Sequence, residues 1–158
     1  MTFSKRGQKT AEDLFEKCKE ISPLYYDGDM PREAWIRDKF SYHIPLLFVG
    51  ATGIAVRLIA PFVEDKLRDS AVIVMDQRGR HVIPLLSGHM GGANEIARNL
   101  ADRVGAEVIL TTATDVEDLF AVDVFARRNG FCICDRAGIR RISQRLLEGE
   151  KIRLAIDP

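Results

Sequence analysis

The chain has 158 residues, 46% of them apolar and 29% charged. That is enough apolar material for a core in one domain or two small lobes, and it excludes disorder as the main state. The 23 basic and 23 acidic residues cancel to a formal net charge of zero, which removes a chain-wide electrostatic case for nucleic-acid binding. No apolar run nears the roughly 20 residues that span a bilayer, so no membrane partner is expected.

Residues 1–10 carry basic side chains but no apolar stretch behind them, unlike a secretory signal. Leu14, Cys18 and Ile21 fall at helical spacing, which predicts a helix over residues 11–20 closed by Pro23. Residues 24–26 are a candidate short strand. Asp27, Gly28 and Asp29 form a turn, and Pro31 opens a helix carrying Trp35, Ile36 and Phe40. The apolar run of residues 44–49, bounded by Gly50, predicts a buried parallel strand. A helical pattern over residues 54–60 breaks at Pro61, with another helical turn or two over 62–66. Residues 71–75 and 81–85 are predicted as partner strands joined by the turn 76–79. The clearest helix is 91–105, with Ala93, Ile96, Ala97, Leu100, Ala101 and Val104 on one face and Gly105 as its cap. A strand over 107–110, a polar loop over 111–115 and a helix over 119–128 follow. A strand over 131–134, a helix over 139–147 and a last strand over 152–156 complete the pattern. Strand and helix alternate often enough to predict an α/β fold: a mostly parallel sheet with flanking helices, divisible into two small lobes near residues 105–114.

The cysteines are few. Cys132 and Cys134 stand two apart with no second pair, so they form neither a zinc ligand set nor a disulfide framework; two side chains on one strand face is the simpler reading. A reducing cytoplasm suits this usage. His43 and His81 are isolated and read as structural or surface residues. Residues 127–145 hold six arginines and one acid, Asp135, a pattern of solvated helix faces that an acidic partner could also use.

Three loops each follow a strand and lead into a helix: Gly50-Ala51-Thr52-Gly53, Ser87-Gly88-His89-Met90-Gly91-Gly92, and Thr111-Thr112-Ala113-Thr114-Asp115. Were their strands parallel neighbours, all three would share the carboxyl edge where open α/β sheets bind ligands. Backbone N–H groups and helix dipoles there favour an anionic or oxygen-rich ligand. In the second loop Gly88, Gly91 and Gly92 permit close approach, and Gly91 and Gly92 are candidate N–H donors to an oxyanion. His89 is the acid/base group of that loop that titrates near neutrality, with Asn94 and Glu95 in the next helical turn. The alternative is a tight turn that merely starts a helix. Thr52 is a candidate cap or ligand contact, and Arg57 either a surface arginine or a carboxylate clamp. Asp115 either caps a helix or joins Thr112 and Thr114 in the site. Neither the dinucleotide fingerprint nor the P-loop is present, which counts against a generic nucleotide-binding domain.

The segments Phe48-Val49-Gly50-Ala51-Thr52-Gly53-Ile54-Ala55-Val56-Arg57 and Ile59-Ala60-Pro61, with Lys66 and Asp69, resemble the N-terminal region of the CbiG family of cobalamin-biosynthesis proteins. Val82-Ile83-Pro84-Leu85-Leu86-Ser87-Gly88-His89-Met90-Gly91-Gly92-Ala93-Asn94-Glu95 resembles that family's most distinctive stretch. Thr111-Thr112-Ala113-Thr114-Asp115-Val116, with Ala121-Val122-Asp123, resembles the start of its central region. The resemblance implies an N-terminal-like region over residues 1–110 and the start of the central region over 111–158. It departs in two places: the family's first strand should precede Thr2-Phe3-Ser4, and the family's C-terminal module is not matched.

The resemblance also implies cobalt-precorrin-5A hydrolase activity in anaerobic corrin-ring assembly. Water opens a lactone on the macrocycle, a two-carbon fragment leaves as acetaldehyde, and the ring contracts. The expected ligand is a cobalt tetrapyrrole fringed with carboxylates. No protein-held metal and no cofactor is expected, because the substrate carries the cobalt. Chemistry then selects His89 or Glu95 as the water-activating base and Gly91 and Gly92 as the oxyanion donors. Thr52, Gly53, Arg57, Gly88, Asn94, Thr112, Thr114 and Asp115 are the candidate substrate contacts. The alternative is a non-catalytic module that holds the tetrapyrrole for a separate C-terminal partner chain. A homo-oligomer is a further expectation, since small sheets with unpaired edges often pair.

Overall fold

Ser4 starts the first helix earlier than the apolar spacing implies. In the computed structural model, which describes residues 1–155, the helix α1 is Lys5–Lys17, and the Ser4 Oγ accepts the Gly7 N–H at 3.0 Å. Its apolar face is Gly7, Ala11 and Leu14, so the polar first turn belongs to the helix but carries little hydrophobic signal. The candidate strand at 24–26 does not form. Tyr26 instead meets Trp35 edge-on, with ring centroids 5.8 Å apart. Pro31 stands at the N-cap of α2 (Arg32–Ser41), whose buried residues are Trp35, Ile36 and Phe40, as the spacing predicts.

The apolar runs then build a sheet. β1 (Leu46–Val49) leads into α3 (Thr52–Ile59), which ends in a 3-10 turn, Ala60–Phe62, containing Pro61. No further helix follows that turn over residues 63–66. β2 (Val72–Met75), β3 (His81–Leu86), α4 (Ala93–Val104) and β4 (Glu107–Val108) follow. The strand order is β1-β2-β3-β4. β1 pairs with β2 in parallel, β2 with β3 antiparallel, and β3 with β4 in parallel. Two of three pairings are thus parallel, and the α/β class holds. Thr2 adds a parallel bridge beside Val49.

Period-two alternation sorts the strand residues onto two faces. Ile73 and Met75 join Ala11, Leu14, Ala97 and Leu100 under α1 and α4. Val72 and Val74 join Ile36, Phe40, Ala55 and Ile59 under α2 and α3. Helices cover both faces, which is why β2 reads as an unbroken apolar run and is buried throughout. Truncating a side chain such as Leu14 or Ile36, both 0% exposed, would cost about 2–5 kcal/mol.

The chain divides into two compact units, residues 1–109 and from 110 onward. The second holds α5 (Ala113–Val116), α6 (Val122–Arg128) and α7 (Arg136–Leu147). No strand forms over 131–134, so Cys132 and Cys134 are exposed residues outside any ladder. The predicted strand over 152–156 is not formed at 152–155, and Ile156 lies outside the described residues.

Candidate functional site

The hairpin decides which loops can meet. Val49 lies opposite Met75, whereas Leu86 lies opposite Val72. The first loop therefore leaves the sheet at the Met75 end, where the Gly50 N–H donates to the Met75 carbonyl at 2.8 Å. The second loop leaves at the other end, beside Ala71. About 10 Å of strand separates them. The expected convergence of Thr52, Gly53 and Arg57 with His89 on one edge does not occur, because β3 runs antiparallel to β1.

The first loop is also less equipped than its residue types imply. The N-cap of α3 is Ala51, and no side chain caps the helix; Thr52 is its first residue and caps nothing. The exposed Arg57 guanidinium donates from Nη1 to the Gly53 carbonyl at 3.0 Å, one turn back on its own helix. That geometry fits a surface arginine rather than a clamp.

The second loop is folded tightly on itself. Ser87 has φ of 56°, a left-handed conformation that costs an L residue roughly 1–2 kcal/mol. The Ala93 N–H donates to the Ser87 carbonyl at 3.1 Å and the Asn94 N–H to the Gly88 carbonyl at 3.0 Å. Loop carbonyls thus cap α4 without a side-chain cap, Gly92 taking the left-handed N-cap position at φ 81°. Close packing requires two of the glycines. A Cβ at Gly91 would sit 2.5 Å from the Ser87 Cβ and 2.8 Å from its carbonyl oxygen. A Cβ at Gly88 would overlap the amide of Asn94.

This packing corrects one donor assignment. The Gly92 N–H donates to the His89 carbonyl at 3.1 Å, so it is committed within the loop. The Gly91 N–H has no backbone acceptor among the described residues and is the donor that fits an oxyanion role. Asn94 is 4% exposed, held under Gly88, while His89 and Glu95 are half-buried. His89 is thus partly buried rather than fully exposed.

Three residues at this end of the sheet are not among the candidate site residues: Ser87 and Asp69, which the sequence offers only within longer segments, and Ser70. The Ser87 Oγ is buried and has no hydrogen-bond partner among the described residues. Ser70, 2% exposed, donates from Oγ to the Phe40 carbonyl at 2.8 Å. Asp69, 7% exposed, accepts the N–H groups of Glu64 and Asp65, each at 3.1 Å, and so staples the turn ahead of β2. An acid and a serine directly before an apolar strand were the available signal, and the strand pattern masked it.

The third loop belongs to the second unit. Thr112 is the N-cap of α5 without a side-chain cap bond, Thr114 is buried at 5% exposure, and Asp115 stands in the first turn rather than at the cap. His81 lies 3.4 Å from Asp76 and 3.7 Å from Glu107, at the Met75 end of the sheet. Among the described residues no group of three or more His, Cys, Asp or Glu side chains is placed to hold a metal ion. No helix among them is long and apolar enough to cross a membrane.

A two-face α/β sheet bearing a glycine loop with a half-buried histidine at a strand's carboxyl end defines an α/β protein with a candidate ligand loop. Residues 34–115 match the family described as Cobalamin synthesis G N-terminal, and the chain belongs to that family. It is 44% identical over 140 residues to the cobalt-precorrin-5A hydrolase of Salmonella typhimurium, covering 88% of this chain and 39% of that protein. It is 38% identical over 113 residues to the cobalt-precorrin-5A hydrolase of Priestia megaterium, covering 72% and 30%. A solved structure of a cobalamin biosynthesis protein G homologue from Sulfolobus solfataricus superposes with a TM-score of 0.61 at 25% identity, covering 99% of this chain and 49% of that one. The chain thus spans less than half the length of these relatives.

Proposed function

We propose that this chain supplies the N-terminal, loop-bearing part of a cobalt-precorrin-5A hydrolase of anaerobic cobalamin biosynthesis. The observation that carries the reading is the loop of residues 87–92, which lies inside the family match and presents the half-buried His89 beside the Gly91 N–H. Opening a lactone needs a base that takes a proton from water while its oxygen adds to the acyl carbon. It also needs a donor to the oxyanion that forms there. His89 is the first candidate base and Glu95 the second; Gly91 is the donor. Acyl–oxygen cleavage leaves a carboxylate and a hydroxyl; the hydroxyl then loses its proton as the bond from its carbon to the macrocycle breaks, the electron pair stays on the ring carbon and takes up a proton, and the two-carbon fragment leaves as acetaldehyde. Gly88 and Asn94 shape the loop beneath the ligand. Thr112, Thr114 and Asp115 are proposed as substrate contacts of the second unit, while Thr52, Gly53 and Arg57 are not part of the same sheet end.

The substrate is proposed to be a cobalt tetrapyrrole whose metal stays in the macrocycle, with no resident cofactor in the protein. The reaction is assigned to the cytoplasm. Residues 1–110 correspond in this reading to the family's N-terminal region and 111–158 to the start of its central region. Polypeptide like the remaining part of the relatives, in the same chain or as a partner, completes the enzyme.

The test is acetaldehyde release from cobalt-precorrin-5A, with this chain alone and joined to the remaining portion of the Salmonella typhimurium relative. Release by the joined protein is expected, and His89→Ala should lower its turnover by about 10²-fold or more. Unchanged turnover removes His89 from the mechanism. No release from the joined protein, with the macrocycle neither bound nor altered, overturns the reading.

A further inference from the structure

Where α1 meets the turn between β2 and β3, the first unit holds a small cationic cavity of about 220 Å³. Its floor is apolar: Leu14 and Met75 are fully buried and Val104 is half-buried. Four cations line it, Arg6, Lys9 and Lys17 from α1 and Arg78 from the turn, against one acid, Asp13. The α1 residues among them recur every three or four positions and so share one helix face. In a chain whose charges cancel, this is a local excess of positive charge. A concave site with low-dielectric walls focuses such a field.

Two features separate this patch from an ordinary solvated face. The first is pairing. Arg103 reaches Glu20 at 2.6 Å and Arg141 reaches Asp135 at 2.6 Å elsewhere on the surface. In the cavity Lys9 pairs with Asp13 at 2.9 Å, but the side chains of Arg6, Lys17 and Arg78 make no ion pair or hydrogen bond among the described residues. The second is placement. The first turn of α1 carries Lys5 and Arg6 and no acid, at the positive end of the helix dipole, and Lys9 repeats the charge of Lys5 one turn on. The helix is thus charged against its own electrostatics. The frame around the cations is firm. The Thr10 hydroxyl donates to the Gln77 carbonyl at 2.8 Å, and a Cβ at Gly79 would lie 3.1 Å from the Thr10 Cγ2. The carboxylate of Asp76 in the same turn is taken up by three backbone N–H groups.

We propose that this cavity binds a small multivalent oxyanion, a polyphosphate or a polycarboxylate. Arg6 and Arg78 supply planar donors that match the oxygens of either class, and Lys9 and Lys17 supply point charges. The space is smaller than the roughly 300–1,000 Å³ that holds drug-sized ligands, which selects an ion over a macrocycle or a nucleotide. The bound anion relieves the repulsion that α1 carries without it. The cavity lies at the Met75 end of the sheet, opposite the loop of residues 87–92, and needs nothing of the proposed reaction.

Calorimetric titration of the whole chain at low ionic strength tests it, with pyrophosphate and citrate as the probes. One equivalent of at least one probe should bind, and Arg6→Gln combined with Arg78→Gln should weaken it by about tenfold or more. Arg68→Gln combined with Arg140→Gln removes the same charge from exposed positions outside the cavity and should leave the affinity unchanged. Urea unfolding followed by Trp35 fluorescence separates lost binding from lost folding. Without anion the cavity variant should unfold at the same or higher urea than the parent, because it loses like charges. The probe should then raise the parent's midpoint and leave that of the variant nearly unmoved. Tighter pyrophosphate assigns a phosphoryl ligand and tighter citrate a carboxylate one; both support the site. Failure of both probes to bind overturns the proposal. So does binding that the outside pair weakens as much as the cavity pair, or a midpoint rise that sodium chloride at matched ionic strength reproduces.

Discussion

Ser87 holds two costs at one position. Its left-handed backbone is one, and the buried Oγ without a partner among the described residues is the other. Glycine would remove both, at an entropic cost of roughly 0.5–1 kcal/mol. Ser87→Gly is therefore expected to raise stability by about 1 kcal/mol in urea denaturation. A loss of stability would show that the hydroxyl is held by a group such as a bound water. Gly91→Ala should act in the opposite sense. Its new methyl meets the Ser87 Cβ at 2.5 Å and backbone at 2.8 Å, and neither can swing aside. Destabilisation by about 2 kcal/mol or more is expected, together with loss of the turn that seats His89. At this scale the candidate site was legible through its glycines, because residues 87–92 lack a nucleotide fingerprint yet crowd three glycines around a histidine. What could not be read was which N–H groups the loop spends on itself. Gly91 and Gly92 look alike in sequence, and their hydrogen bonding distinguishes them only once the turn is closed.

The hairpin joining β2 to β3 hangs on one carboxylate. Asp76 accepts the N–H of Arg78 at 2.7 Å through Oδ1, and those of Arg80 at 2.8 Å and His81 at 2.7 Å through Oδ2. Burial pushes this carboxyl up, but the three N–H groups and His81 together outweigh it, and the net shift is below the usual carboxylate range. A depressed folded-state value means stability that is present above the unfolded value of about 3.9 and is lost as the pH falls through the folded one. Asp76→Ala should cost about 2 kcal/mol at pH 7, measured by urea denaturation. Asp76→Asn should flatten the acid limb of the stability curve below pH 4; a limb of unchanged slope would assign it to other carboxylates. The same hairpin explains why the loop arrangement was misread. Residues 71–75 and 81–85 were legible as partner strands, and α4 with its left-handed Gly105 cap followed the apolar spacing closely. That β3 reverses follows from so short a connection; what local pattern does not encode is that β1 pairs with β2 in parallel, which puts the first loop at the opposite end of the sheet from the second. Strand composition failed where no neighbour supplied a ladder, at residues 131–134. A polar first turn hid the start of α1, whose helix is secured by the Ser4 cap.

Across the whole molecule, the distribution of burial predicts independent stability for the first unit. Both large apolar clusters are drawn wholly from residues 1–109, one under α1 and α4 and the other under α2 and α3. Every strand of the sheet lies in the same span. Among the described residues the second unit contributes two buried apolar residues, Ala126 and Ile139, few for a cooperative core. A chain of residues 1–109 is therefore expected to fold. Trp35, the single tryptophan, reports on it directly, being 9% exposed and packed against Tyr26. Its fluorescence should give one urea transition in the full chain and nearly the same midpoint in residues 1–109. Helix signal by circular dichroism should separate from it in the full chain, because α6 and α7 melt at lower denaturant than the sheet. Coincident transitions by both probes, with a midpoint that falls sharply when residues 110–158 are removed, would show instead that the two units unfold as one. That outcome would require energetic coupling between them large enough to override the division of the apolar core.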